Sequence, residues 1–309
     1  MQFEGIHHVT AICADAPGNV DFYARVLGLR LVKKTVNFDA PDVYHLYYGD
    51  EKGNAGSILT FFEFLDAAPG RAGAGMVHRL VWRVADEDAL GFWAERLAGE
   101  GAAIEGGDHP EALRFRDPEG LGLELRIVSA ADAPLTAAAP DVPAQHAIQG
   151  FDGVRAFSAN PAASADLLER LGFSTELGTR YTQRGAERHA HYLFDPPPPA
   201  QPVQGAGTVH HIAWASRPED HAGWREAVLE AGAHPTPIID RQYFESIYFR
   251  EPSGVLFELA TIGPGFAIDE DPAHLGETLR LPPRYEHMHD RLERTLTPLV
   301  NPRAKKVGT

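Results

Sequence analysis

The sequence predicts an α+β protein that contains four copies of one unit, each a strand and a helix followed by three strands. One reason is a repeated strand start: residues 77–82 read VHRLVW and residues 209–214 read VHHIAW. Another is a repeated turn, FRDPEG at residues 115–120 and FREPSG at residues 249–254, where proline and glycine separate two apolar runs. The same order of motifs in both parts of the chain predicts a repeated βαβββ module.

The second and fourth units contain the complete pattern. After the first strand, apolar residues recur at helical spacing, and a glycine follows where a left-handed residue commonly ends a helix. These positions are Leu90, Trp93 and Leu97 before Gly101, and Trp224, Val228 and Ala231 before Gly232. The last predicted strands of the two units are residues 121–126 and 255–260.

The first unit has the same order. A strand at residues 6–13 precedes a helix that carries Val20, Tyr23 and Leu27 and ends at Gly28. The three strands that complete this unit are predicted near residues 29–36, 43–48 and 57–64.

The third unit diverges most. Residues 154–158 are predicted as a short strand, and Asn160 and Pro161 as the N-cap and first residue of a helix that ends at Gly172. Strands near residues 173–177 and 189–194 follow. The sequence shows no clear last strand for this unit.

Composition shifts divide the chain. Residues 130–144 are rich in alanine and proline and indicate a linker, and residues 195–207, with four consecutive prolines, indicate a loop and a candidate lid. The expected division is an N-terminal half (residues 1–129), a linker (130–150), a C-terminal half (151–263) and a C-terminal extension (264–309).

The length and charge of the chain limit the functions that it can have. With 309 residues, 44% of them hydrophobic, the chain can bury a large core. A net charge of -15 disfavours nucleic acid or an anionic membrane as a partner. The chain has no apolar run near the roughly 20 residues of a membrane span, no signal peptide pattern and one cysteine, Cys13. We expect a soluble cytoplasmic protein; whether it forms a homo-oligomer stays open.

A candidate metal site lies in the predicted strands. Two histidine pairs, His7-His8 and His210-His211, each open an apolar run, and Glu258 lies within another. A buried carboxylate is costly unless it is paired or bound to a metal. Two histidines and one carboxylate form the facial triad of non-heme Fe(II) enzymes, which leaves positions open for other ligands.

With these motifs the chain resembles the vicinal oxygen chelate superfamily, which includes glyoxalase I, bleomycin-resistance proteins and extradiol dioxygenases. Within it, the chain is most similar to hydroquinone-type ring-cleaving dioxygenases. The similarity covers nearly the whole chain, including HHVT at residues 7–10, the spacing of Arg241, Tyr248 and Glu258, and LRLPP at residues 279–283. It implies four βαβββ modules that form two paired, cup-shaped mixed β-sheets.

The resemblance also implies the site residues. The metal ligands would be His8, His211 and Glu258, binding Fe(II), with Mn(II) as the alternative because the ligand types overlap. The residues implied to assist catalysis are His7, Thr10, His210, Arg241 and Tyr248. Adjacent strand residues point to opposite faces, so His7 and His210 can reach the site only where the strand twists or bulges.

Repeat alignment predicts one metal per chain, between the first and last units. Gly153 stands where the third unit would have His8, and Arg79 where the second would have His211. Glu124 is kept in the second unit, and a buried carboxylate needs a cation, so we expect Arg79 and Glu124 to pair. His78, His189, His191, His287 and His289 are interpreted as structural.

The leading functional hypothesis is an Fe(II)-dependent dioxygenase that opens the ring of a small hydroquinone-type substrate with dioxygen. A glyoxalase-type isomerase or lyase is the first alternative, but such sites take a ligand from the last strand of each unit, and Thr60 stands there in the first unit. A catechol extradiol dioxygenase is the second, disfavoured by Gly153. A drug-sequestering module is the third, and it would not need three converging ligands.

Overall fold

The computed structural model describes residues 1–106 and 110–303 and contains four βαβββ modules in chain order. Module 1 comprises β1 (Ile6–Cys13), α1 (Ala16–Val20) with a π-helical continuation (Asp21–Val26), β2 (Arg30–Asn37), β3 (Ala40–Gly49) and β4 (Ile58–Glu63). Module 2 comprises β5 (Met76–Val84), α2 (Glu87–Gly99), β6 (Ala103–Ile104), β7 (Ala112–Arg116) and β8 (Gly122–Ile127).

The other two modules follow the linker, which carries one 3₁₀ turn (Ala144–His146). Module 3 comprises β9 (Phe151–Phe157), a 3₁₀ turn (Pro161–Ser164), α3 (Ala165–Arg170), β10 (Phe173–Thr175), β11 (Arg180–Arg184) and β12 (His189–Asp195). Module 4 comprises β13 (Thr208–Ser216), a 3₁₀ turn (Pro218–Asp220), α4 (His221–Glu230), β14 (Ile239–Asp240), β15 (Glu245–Arg250) and β16 (Leu256–Thr261). The predicted α+β class and module order are confirmed.

The strands form two eight-stranded mixed sheets. The first has the order β14-β15-β16-β13-β1-β4-β3-β2 and joins module 4 to module 1. The second has the order β10-β11-β12-β9-β5-β8-β7-β6 and joins module 3 to module 2. In every module the first and last strands are parallel neighbours, while the two modules of a sheet meet through antiparallel first strands.

The strand of module 3 that the sequence did not reveal is β11 (Arg180–Arg184), and the strand predicted near residues 189–194 is the last one. β11 pairs with β12, and β12 pairs in parallel with β9, so residues 189–195 are the last strand of this module. Asn160 precedes the 3₁₀ turn, but its side chain makes no capping hydrogen bond. The helix therefore begins later than predicted, at Ala165.

Aromatic side chains join the two sheets. Tyr192 of β12 lies 5.2 Å from Phe257 of β16, and Phe173 of β10 lies 4.7 Å from Trp214 of β13, between ring centroids. All four side chains are buried. Because aromatic pairs add directional contacts to apolar burial, this cluster favours one relative placement of the sheets.

The C-terminal extension continues past module 4 as three 3₁₀ turns (Phe266–Ile268, Pro272–His274 and Pro283–Met288) and α5 (His289–Thr295). It covers the edge strand β2, where Leu279 forms a bridge with Lys34 and the Arg280 N–H donates to the Lys34 carbonyl. An edge strand has unpaired backbone groups, so the extension protects this edge of the first sheet.

In the described ranges, no helix combines the length and the apolar character needed to cross a membrane.

Candidate metal centre

Two β-bulges shape the centre of the first sheet. The ladder between β1 and β13 skips one residue in each strand, His7 in β1 and His210 in β13. A bulge turns the extra residue out of strict alternation. The ring of each bulged histidine therefore lies beside that of its neighbour, and His8 and His211 face the concave side of the sheet. Reaching the site by a bulge was the condition predicted for His7 and His210.

His8, His211 and Glu258 lie together on this face. The His8 Nε2 and His211 Nε2 atoms are 3.2 Å apart, and they lie 3.3 Å and 2.8 Å from Glu258 Oε2. Three ligands about 2.1 Å from one ion and at right angles to each other would be about 3 Å apart. The three atoms therefore have the spacing of a facial triad, and all three residues are buried.

The surroundings of Glu258 fit a cation. Its Oε1 accepts a hydrogen bond from Ser246 Oγ at 2.5 Å, whereas Oε2 has no hydrogen-bond partner with acceptable geometry in the described chain. Burial alone would raise the pKa of Glu258, but His8 and His211 hold it well below its usual value. An ionised oxygen that is close to two ring nitrogens, yet bonded to neither in good geometry, has the donor arrangement of a metal ligand.

Each candidate histidine ligand is held by the histidine before it. The Nδ1 atoms of His7 and His8 are 2.9 Å apart, and those of His210 and His211 are 2.8 Å apart. Burial and the adjacent His8 lower the pKa of His7 to about 3, so its ring is neutral at physiological pH. A neutral ring can accept a hydrogen bond from its neighbour's Nδ1–H, which leaves the Nε2 lone pair of the candidate ligand free.

A cavity of about 610 Å³ opens above the three atoms. Its wall combines aromatic side chains with polar groups, among them Asn37, Thr236 and Arg241. The apolar lining residues are Ile12, Phe38, Tyr47, Phe62, Phe64, Ile239, Phe244, Tyr248 and Leu256. The arrangement accommodates a flat organic molecule within reach of His8, His211 and Glu258.

Four of the residues expected to assist catalysis line this cavity, namely Thr10, His210, Arg241 and Tyr248. The Arg241 guanidinium lies 5.4 Å from the Tyr248 ring centroid and forms an ion pair with Asp39 at 3.0 Å. Burial, followed by the charge of Glu258, raises the pKa of Tyr248, so the phenol keeps its proton at neutral pH. His7 instead lies behind His8, against a smaller cavity of about 250 Å³.

The structure adds cavity residues that sequence reasoning missed. His45 lines the cavity and bonds to Thr60, and Phe244 lies about 5 Å from the rings of both His7 and His8. A polar residue in the predicted strand at residues 43–48 was the available signal for His45. Phe244 lies in a loop before β15, and no periodic pattern marks it.

The predicted pairing of Arg79 with Glu124 is wrong. Glu124 is buried and paired, but its partners are Arg114, whose Nε lies 2.8 Å away, and Arg126, whose Nε lies 3.0 Å away. Arg79 pairs with Glu105 at 2.6 Å. The strand register is the reason, because it places Arg114 directly opposite Glu124.

A second group of candidate ligand atoms lies in the other sheet, from Asp152, His189 and His191, within 4.8 Å of one another. His189 and His191 were predicted to be structural. Arg83 Nε lies 3.3 Å from Asp152, and both His191 ring nitrogens hydrogen-bond to Thr182 or Arg180. Because a guanidinium already neutralises the carboxylate, this cluster is a salt-bridge network.

The proline-rich loop at residues 195–207 was a candidate lid, and this role stays a prediction. The loop is held by Arg71, which donates to the Gln201 carbonyl at 3.0 Å and whose backbone bridges to Val203. None of its residues lines the 610 Å³ cavity.

Comparison with known proteins gives near full-length matches. The chain is 41% identical over 305 residues to "Putative ring-cleaving dioxygenase MhqO" of Bacillus subtilis, covering 95% of this chain and 96% of that protein. It is 33% identical over 317 residues to "Chlorohydroquinone/hydroquinone 1,2-dioxygenase" of Sphingobium indicum, covering 96% and 97%.

A solved structure of similar sequence has the same fold. The crystal structure of a "putative dioxygenase" from Bacillus subtilis superimposes with a TM-score of 0.90 at 40% identity, covering 97% of this chain and 98% of that one. The family model described as Glyoxalase/Bleomycin resistance protein/Dioxygenase superfamily matches residues 5–125 and 150–259, which cover most of each of the four modules. The chain therefore belongs to the glyoxalase/bleomycin resistance protein/dioxygenase superfamily, the vicinal oxygen chelate fold.

Proposed function

We propose that this protein is an Fe(II)-dependent dioxygenase that cleaves the ring of hydroquinone-type substrates. The observation that carries the proposal is the set of three ligand atoms, from His8, His211 and Glu258, 2.8 to 3.3 Å apart on the floor of an aromatic cavity. Mn(II) would accept the same ligands. The printed names of the relatives, ring-cleaving and hydroquinone dioxygenases, support the reaction class and the substrate.

The wall of the cavity supports an aromatic substrate. Phe38, Phe62 and Phe244 offer apolar ring surfaces. A substrate ring can stack or pack edge-on against such surfaces, as aromatic side chains do against each other. The three candidate ligand atoms lie in the lining of the same cavity, so a hydroxyl on the ring can reach them.

Bound Fe(II) would supply Lewis acidity that lowers the pKa of a phenolic hydroxyl and redox chemistry that activates dioxygen. The chain supplies the proton transfers. Desolvation in the cup and the neighbouring His211 lower the pKa of His210, so its imidazole is neutral. Because its Nδ1 accepts from His211, its proton lies on Nε2 and can be donated to a reactant oxygen. Tyr248 keeps its proton and can donate it to a developing oxygen anion. Arg241, above the Tyr248 ring, stabilises negative charge on that oxygen.

The glyoxalase-type alternative has less support. In module 1 the place of a second carboxylate ligand is taken by Thr60, whose hydroxyl is engaged with Thr10 at 2.9 Å and His45 at 2.8 Å. Three protein ligands leave more of an ion open than four, which suits two reactants at once. The catechol alternative needs ligands from modules 3 and 4, and Gly153 in module 3 has no side chain to offer.

The test combines metal analysis with oxygen uptake on a panel of hydroquinones and catechols. We expect about one iron per chain and oxygen uptake on hydroquinones. His8→Ala should lose metal and activity together, while the control His78→Ala, in the second sheet, should retain both. Oxygen uptake on catechols alone would contradict the substrate proposal, and no uptake on any dihydroxybenzene would remove the dioxygenase proposal. Stoichiometric metal in His8→Ala would refute the ligand assignment.

A further inference from the structure

Modules 1 and 4 have equivalent positions on the floor of the cup. Thr60 in β4 and Glu258 in β16 correspond, because each lies directly opposite a tyrosine of the preceding strand. Two residues before that tyrosine is His45 in module 1 and Ser246 in module 4. His45 is thus the counterpart of the residue that holds the candidate ligand Glu258.

The two counterparts make the same kind of contact. Ser246 Oγ donates to Glu258 Oε1 at 2.5 Å, and His45 Nε2 lies 2.8 Å from Thr60 Oγ1. In module 4 the contact orients a carboxylate. In module 1 it ends on a hydroxyl, which passes the orientation to one further residue, because Thr60 Oγ1 donates to Thr10 Oγ1 at 2.9 Å.

The direction of this chain of hydrogen bonds follows from counting protons. The Thr60 hydroxyl has one proton, and it is donated to Thr10. Thr60 must therefore accept from His45, which places the imidazole proton on Nε2. His45 Nδ1 then accepts from the Tyr47 hydroxyl, 2.9 Å away.

Burial supports a single neutral form of His45. Desolvation first, and then the charges of His8 and His211, hold the pKa of His45 well below its usual value. Thr60 is fully buried, and its hydroxyl oxygen is engaged by both His45 and Thr10. In the part of the chain that the structure describes, no group accepts the proton of the Thr10 hydroxyl, and Thr10 lines the cavity.

We propose that His45 is a positioning residue that acts through Thr60 to direct the Thr10 hydroxyl proton into the cavity, towards an oxygen atom of the bound reactants. The inference rests on the proposed dioxygenase function for its kinetic consequence. Its geometric content does not depend on that function. His45 and Thr60 act through Thr10, which is the donor to the reactants.

A purely structural role for His45 is the competing explanation. Its ring packs 4.1 Å from Tyr47 and 4.4 Å from Phe62, between centroids, so removing it would also disturb packing. Three variants separate the two roles. His45→Leu removes the donor, His45→Gln keeps an N–H near the position of Nε2, and Thr10→Val removes the final hydroxyl while keeping its shape.

The kinetic test uses the iron-loaded enzyme. We expect His45→Leu to retain iron and KM and to lose about tenfold in kcat, the size expected when one hydrogen bond to a reacting group is lost. His45→Gln should recover most of the loss. Adding His45→Leu to Thr10→Val should cause no further loss, because both changes act on one donor. The control is His78→Leu, a ring that also stacks on an aromatic and bonds to a side chain, but in the second sheet.

Three kinetic results would overturn the inference: wild-type kcat in His45→Leu, equal loss in His45→Leu and His45→Gln, or multiplicative losses with Thr10→Val.

A further readout needs no activity. In ¹⁵N-histidine NMR of the metal-free protein, assigned with His45→Gln, His45 should be the Nε2–H tautomer, and the Nδ1–H tautomer would reverse the chain and end the proposal. If the wild-type enzyme takes up no oxygen, the proposed function fails, while the tautomer still decides this inference.

Discussion

At the scale of single residues, the candidate centre depends on hydrogen bonds that orient each candidate ligand and leave one of its lone pairs free for an ion. Glu258 has one oxygen fixed by Ser246, and its other oxygen faces His8 and His211. A ligand that is already oriented loses less freedom when it binds an ion. The hydroxyl of Ser246 should therefore matter for metal affinity although it contacts no reactant.

Ser246→Ala tests this role. We expect metal affinity to fall by about 10–100-fold, the usual effect of removing a group that orients a ligand. Calorimetric titration of the metal-free protein with a divalent ion would measure it. Ser164→Ala is a matched control, because Ser164 is also fully buried and also donates to a buried carboxylate, that of Glu251, away from the centre. Unchanged affinity in Ser246→Ala would show that the ligand needs no support.

Sequence reasoning could identify candidate ligands more readily than the groups that hold them. His8, His211 and Glu258 were identified as charged or metal-binding side chains within apolar strands and by resemblance to a family. The contact of Ser246 with Glu258 depends on the register of β15 against β16, which no local pattern shows. The wrong pairing of Arg79 with Glu124 has the same origin, because a cross-strand neighbour in β7 was closer.

At the scale of elements, bulges and loops decide what reaches the cup. The residue before the ligand position is skipped in the ladder of all four modules: His7, His78, Asp152 and His210. Helix ends were predicted well, since Gly101 and Gly232 have the positive φ angles of 72° and 83° that glycine tolerates. Bulges leave no comparable mark in the sequence.

Lys33 of β2 anchors the C-terminal extension to module 1. Its side chain is fully buried and contacts both Asp269, at 2.6 Å, and Glu270. Asp269 also accepts hydrogen bonds from Tyr243 and Gln242, in the loop that carries Arg241. The extension thus connects module 1 to a loop of the cavity wall.

Lys33→Met should destabilise the protein by about 3 kcal/mol or more, because it leaves the buried Glu270 carboxylate without its main cation. Urea unfolding at neutral pH would measure the loss. Lys34→Met is the adjacent control. Among the described residues, the Lys34 ammonium hydrogen-bonds only to the Glu277 carbonyl, at 3.3 Å, and its loss should cost under about 1 kcal/mol. Equal effects of the two substitutions would contradict a specific anchoring role for Lys33.

At the scale of the whole molecule, one sheet keeps the candidate centre and the other has replaced it with ion pairs. In the second sheet, Gly153 and Arg79 stand at the two histidine positions, and Arg114 and Arg126 neutralise Glu124. The repeat alignment predicted a metal site between modules 1 and 4, and the side chains of His8, His211 and Glu258 do come together there, while metal binding stays a prediction. Which cations occupy the second cup could not be deduced, because that depends on side chains from several strands.

Both sheets share a further property, buried neutral histidines. In the second sheet, burial lowers the pKa of His191 to about 4, and Arg180, which donates to its Nε2, acts in the same direction. In the first sheet, burial and His8 lower the pKa of His7 to about 3. Both values lie below that of an unfolded chain, which is about 6.5.

These shifts predict that the metal-free protein loses stability in mild acid. Above about pH 6.5 both residues are neutral in the folded and unfolded states, so they do not change the free energy of unfolding with pH. As the pH falls below 6.5, the unfolded chain binds protons that the folded protein cannot yet accept, and the free energy of unfolding falls until the pH reaches the folded pKa values. Since one pKa unit corresponds to about 1.4 kcal/mol, the loss by pH 4 should reach several kcal/mol.

Urea unfolding of the metal-free protein between pH 7 and pH 4 would measure this loss. His191→Gln should reduce the slope between pH 6.5 and 4, because glutamine can still hydrogen-bond to Arg180 or Thr182 but does not titrate in this range. The remaining slope would come from the other buried histidines with lowered pKa values, among them His7, His45 and His210, and from carboxylates such as Glu258, whose lowered pKa acts with the same sign. A free energy of unfolding that stays constant to pH 4, or an unchanged slope in His191→Gln, would show that these rings take up protons without unfolding.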